Sequence, residues 1–150
     1  MEELTKKLMA IRELTNKKDN TVKRQHNTVY IEKTPESHIY CQMALDLAID
    51  LKEYMVTLEV KIKNKDLDPE EAKNLQHFLE ELSEFIGNTV FLGGARNQTW
   101  VTAGFLLFGT IVYHKALLRL QPKTIDLFFL EELLQEVETK IYNNIYYGLQ

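Results

Sequence analysis

The stretch GGARNQTWVTAGFLLFGTIVYHK, Gly93 to Lys115, breaks the charged, periodic pattern of the rest of the chain. From Trp100 to Tyr113 the residues are apolar or small on every side of a helical projection. A helix there has no polar face to turn to water and should be surrounded by protein. A membrane span is the rival use of such a segment. However, the uncharged run from Asn97 to Tyr113 opens on Asn-Gln-Thr and is shorter than the roughly 20 apolar residues that cross a bilayer. The segment therefore predicts one apolar central helix, about residues 98–118.

Working outward, proline and glycine punctuate the chain as helix boundaries. Thr34-Pro35-Glu36 and Asp68-Pro69-Glu70-Glu71 each set a capping side chain before a proline at the first helical position. Asp68 and Glu71 also have capping-box spacing, and Gly87 can take the left-handed conformation that closes a helix. From Pro35 to about Asn64 the stripe Tyr40, Met43, Ala44, Leu47, Leu51, Tyr54, Met55, Leu58 and Ile62 recurs at three and four residues, opposite Asp46, Asp50, Glu53 and Lys61. Leu75, Phe78, Leu79, Leu82, Phe85 and Ile86 repeat the pattern from Pro69 to Ile86. Leu4, Leu8, Ile11 and Leu14 give a weaker version over 2–18, and 124–147 carries a last stripe of Leu127, Phe128, Leu130, Leu133, Leu134, Val137, Ile141 and Ile145 around Glu131, Glu132, Glu136 and Glu138. Residues 19–34 read as a loop, with Val29-Tyr30-Ile31 a possible extended piece. The expected fold is all-α, one domain over 1–150. It is a helical bundle of about five helices, the amphipathic ones packed around the apolar central one.

The totals fit that fold and narrow the function. A chain of 150 residues can bury roughly 68–70% of its extended surface, enough for a core without staples. A net charge of −4 gives no overall attraction to nucleic acid. The first 33 residues hold eight basic against five acidic side chains, a balance of +3 that interleaved acids make a solvated surface more often than a phosphate-binding arm. Cys41 is the one cysteine, so no internal disulfide is available. The opening MEELTKKLMAIRELTNKK lacks the continuous apolar region of a secretory signal. A cytoplasmic protein with at most peripheral membrane contact is the expectation.

No catalytic or metal signature emerges. His26, His38, His77 and His114 form no His-Glu-x-x-His, and Asn74 stands where a Glu-x-x-His would need its carboxylate before His77. Glu81-Leu-Ser-Glu84 matches half of the paired motif with which all-α nucleotide pyrophosphohydrolases hold Mg²⁺. Nothing downstream supplies the second half, and acids on the polar face of an amphipathic helix are ordinarily its solvent face. Gly93-Gly94 lacks the Lys-Ser/Thr of a phosphate loop. The chain reads as non-enzymatic, without cofactor or metal.

Gly104-Phe105-Leu106-Leu107-Phe108-Gly109 resembles the central-helix pattern of the B-cell-lymphoma-type apoptosis regulators, including their divergent virus-encoded branch. The acidic helix ending Leu82-Ser83-Glu84-Phe85-Ile86-Gly87 precedes it, as a comparable helix does in that family. The family opens its central helix with Asn-Trp-Gly-Arg. Here Asn97 and Trp100 are separated by Gln98-Thr99, and Arg96 precedes them instead of following. The resemblance implies a hydrophobic groove that sequesters an amphipathic death-motif helix. It would lie between the Pro69–Ile86 helix and the start of the central helix, lined by Phe78, Leu82, Phe85, Trp100 and Phe105, with Arg96 as the charge partner. Each of these apolar residues also suits an ordinary core, Leu82 and Phe105 most of all. The alternative is a self-associating all-α viral or phage accessory protein, dimeric through the 35–64 helix, that inhibits or scaffolds a host partner and adds contact area from its tyrosine-rich tail, Ile141 to Tyr147.

Overall fold

The computed structural model describes residues 2–15, 22–25, 28–31, 37–87, 98–120 and 125–143. Five helices form where apolar residues recur at three and four: α1 Glu2–Thr15, α2 Ser37–Lys63, α3 Pro69–Gly87, α4 Gln98–Arg119 and α5 Ile125–Tyr142. They make an all-α bundle, as expected. Between α1 and α2 the segment read as a loop contains an antiparallel hairpin, β1 Val22–Gln25 paired with β2 Thr28–Ile31 in the register Val22↔Ile31. Extended pairing there agrees with the β-branched and aromatic residues of Thr28-Val29-Tyr30-Ile31.

Two helix ends differ from their sequence reading. Asp68 caps α3 as anticipated, its Oδ1 accepting from the Glu70 N–H at 3.0 Å. Glu71 does not complete the box. It turns back to α2, accepting from Lys61 Nζ at 2.8 Å and from the Tyr54 hydroxyl at 3.0 Å, so a paired charge outcompetes the local cap. Gly87 closes α3 without a left-handed φ. Lys140 packs over it, its Cδ 3.5 Å from where a Cβ would stand, an ordinary contact, so neither backbone conformation nor space demands glycine there. The left-handed residue is Lys65, at φ 58°, just past α2. Asp66 N–H donates to Lys61 O at 2.8 Å and Lys65 N–H to Ile62 O at 3.1 Å, which is a Schellman closure.

The core is shared by all five helices. Leu8, Leu47, Leu51, Phe78, Leu79 and Leu82 are completely buried, each contributing about 1.5–3 kcal/mol of transfer free energy. Contacts run in a ring, α1 to α2 to α4 to α5 to α3 and back to α1. α1 is fastened at both sides, by an ion pair from Lys7 to Asp50 on α2 and by Arg12 to Glu81 and Glu84 on α3. Between α4 and α5 the nearly buried Lys115 is held by Glu138 and by Gln135 Oε1 at 2.9 Å. Along α2 and α4 the registers advance together. Lys52 and Val56 stand beside Phe105 and Gly109, and Ile62 beside Leu118. The two helices therefore run in the same sense, with α3 as the return crossing. α3 and α5 do likewise, Leu75 meeting Leu130 and Ser83 meeting Lys140.

The expectation that α4 is enclosed on every side requires correction. Ala103, Leu107, Ile111 and Leu118 are buried against the bundle, but Thr102, Phe105, Gly109, Tyr113 and Ala116 form an exposed stripe. Among the described elements α4 packs mainly on α2 and α5, and the stripe from Thr102 to Ala116 faces solvent. Among the described residues no helix is long and apolar enough to cross a membrane.

Candidate functional site

The residues expected to line a groove between α3 and α4 do not converge. Phe78, Leu82 and Phe85 are 1%, 0% and 5% exposed and belong to the shared core. They alternate at three and four along α3, and that face points inward at the meeting of α1 and α5, so they present nothing to a docking helix. Arg96 and the side chain of Trp100 lie outside what the structure describes. Phe105 is the exception. It is 44% exposed, on the outer stripe of α4, and its neighbour across the gap is α2 rather than α3.

That gap is a groove of about 470 Å³. On the α4 side, Phe105, Gly109 and Tyr113 follow one another at steps of four, which keeps them on one line with little rotation. Phe105 and Tyr113 stand up from the helix, and Gly109 between them leaves a notch with nothing within 4 Å of an added Cβ. On the α2 side, Val56 is 50% exposed and faces the notch. Ile49 and Val60 extend the same exposed apolar face along α2. Three large apolar side chains are thus left facing water around a hollow, an arrangement that soluble surfaces keep for contacts. Lys52 borders the groove without an ion pair among the described residues, while Glu59 at the other end is paired with Lys63 at 3.0 Å.

His114 forms part of the groove wall. Its Nδ1 lies 2.8 Å from Thr110 O, so Nδ1 carries the proton and donates to that carbonyl. Nε2 is left as a buried acceptor with no partner among the described residues. A polar atom so placed costs stability, on the order of 1–3 kcal/mol.

Groups that suggested chemistry in the sequence are engaged elsewhere. Glu81 and Glu84, the half-motif for a Mg²⁺ site, are both bridged by Arg12, whose charge occupies the position a cation would take. Among the described residues no three or more His, Cys, Asp or Glu side chains gather as a ligand set. Cys41 is a free, buried thiol on the core face of α2. Val56, Gly109 and Tyr113 escaped the sequence reading. A glycine inside an apolar helix, four residues from an aromatic on either side, was the available signal. No family model, curated protein or solved structure matches the chain.

Proposed function

We propose that this protein is a non-enzymatic interaction module that receives an amphipathic helix in the groove between α2 and α4. The observation that carries this reading is the notch at Gly109, walled by Phe105 and Tyr113 and faced by Val56. A helix presenting apolar anchors at three- and four-residue spacing buries them between those walls, and the anchor over Gly109 approaches the α4 backbone directly. Lys52 at the rim favours a partner with an acidic side chain flanking its anchors. Sequestration of a death-motif helix, the activity implied by the resemblance to apoptosis regulators, is the particular form we propose. In this form the receiving surface is α2/α4, because the apolar residues of α3 are core.

Titration of a panel of fluorescently labelled amphipathic helices, including death-motif peptides, tests the proposal. At least one should bind with Kd below about 1 μM. Gly109→Leu, which fills the notch without touching the protein interior, should weaken it at least about tenfold while leaving the circular dichroism spectrum unchanged. Absence of any binding tighter than about 10 μM would sink the reading. A second reading rests on Ile49, Val56 and Val60, which make one exposed apolar face on α2. That face favours self-association, and light scattering would show a dimer that Val56→Glu dissociates.

A further inference from the structure

Across the ring from that groove, α3 and α5 border a second one, of about 520 Å³. Its floor is apolar, with Phe129 50% exposed and Leu133 half-buried behind it. Its rims are acidic, with Glu80 on α3 and Glu132 and Glu136 on α5. Lys140 closes one end and is already committed. Its Nζ donates to Ser83 Oγ at 2.8 Å and lies 3.2 Å from Glu136. Glu80 and Glu132 have no ion pair among the described residues, so both rims keep an uncompensated negative charge.

We infer that this groove docks a basic amphipathic helix of another protein. Two features specify that occupant together. Exposed Phe129 beside Leu133 supplies an apolar anchor point, which a purely solvated acidic surface would lack. Glu80 and Glu132 stand on different helices, on opposite rims, so a ligand that answers both carries Lys or Arg on each flank of its apolar stripe. The floor from Phe129 to Lys140 is about 16 Å long at 1.5 Å per residue, which accommodates about three helical turns. An acidic helix is repelled here, and a neutral one desolvates the two carboxylates without answering them. The α2/α4 groove, with Lys52 on its rim, has the opposite preference, so the two surfaces sort different ligands and this inference does not depend on the other.

The test is fluorescence anisotropy with a designed three-turn peptide bearing Leu and Phe anchors flanked by Arg and Lys, alongside a twin in which Glu replaces every basic residue. The basic peptide should bind the wild-type protein, and raising salt from about 50 to 200 mM should weaken it several-fold. Glu80→Lys combined with Glu132→Lys should weaken it at least about tenfold, and Phe129→Ser should do the same at constant salt dependence. Gly109→Leu should leave it unaffected. These substitutions are at exposed positions, and thermal melts that match wild type establish that the fold survives. The inference is overturned if the twin binds as tightly as the basic peptide, or if the charge-reversed protein binds undiminished. Failure to bind the basic peptide below about 100 μM also overturns it. So does a wild-type dimer that the charge reversal turns into monomer, since the groove would then belong to a second copy.

Discussion

Individual side chains carry costs and pKa shifts that the helical pattern hides. The phenol of Tyr54 is pushed above its ordinary range, first by burial and then by its hydrogen bond to Glu71. Its proton is held more tightly in the folded chain than in the unfolded one. The stability this contributes is therefore complete below the unfolded pKa near about 10 and is lost as pH rises beyond it. Denaturant melts at increasing alkaline pH should show a loss of stability that Tyr54→Phe reduces, and ultraviolet titration should find one tyrosine ionising only as the protein unfolds. His114 gives a second case. His114→Leu removes the unpartnered Nε2 and leaves Thr110 O with its main-chain donor, so stability should rise by about 1 kcal/mol. An unchanged or lower melting temperature would show that Nε2 is satisfied. Neither residue announced itself in the sequence. Tyr54 sat correctly in a core stripe, and His114 was an isolated histidine at the end of an apolar run. Their environments are made by residues distant in sequence, Glu71 for one and the walls of the groove for the other.

At the level of helices, periodicity was a sound guide to existence and a poor one to endings and outward faces. The stripe of α3 buries every residue it nominated, because a three-and-four repeat can face only one way, whereas the wider stripes of α2 and α5 spill past their covered faces, leaving Met43, Tyr54 and Leu133 half-buried and Phe128 exposed. The end of α2 was illegible, since Lys65 is a residue type that nothing marks for a left-handed conformation. Lys65→Gly should stabilise the protein by about 1 kcal/mol, relieving that strain while keeping the two closing hydrogen bonds. Chemical denaturation would reveal a lower midpoint instead if the Lys65 side chain contributes a contact. For α4 the difficulty was the reverse. Where every residue is apolar, periodicity cannot say which side faces out, so nothing in the sequence tells that Phe105 looks across to α2. Only the pairing of α4 with α2 makes Phe105, Gly109 and Tyr113 the wall of a groove.

The molecule as a whole is a ring of five helices in which α1 closes the circuit between α2 and α3. Leu8 is fully buried there, and Leu8→Ala should cost about 2–5 kcal/mol. Because α1 is bolted to both neighbours by ion pairs, the loss should appear as a shift of one cooperative transition. An early, separate melting of a terminal segment would contradict that. The bundle class was readable from the sequence. The ring order was not, since amphipathic stripes state that a face is covered without stating by what. One consequence of that order reaches both grooves. Each is bordered by two helices pointing the same way, so the partial charges at their ends add rather than cancel. A guest helix lying between α2 and α4, or between α3 and α5, meets two aligned macrodipoles at once. It is favoured when its own runs opposite to both, by an amount on the order of 0.3–1 kcal/mol per terminus. The scaffold thus biases the polarity of its guest independently of the guest's side chains.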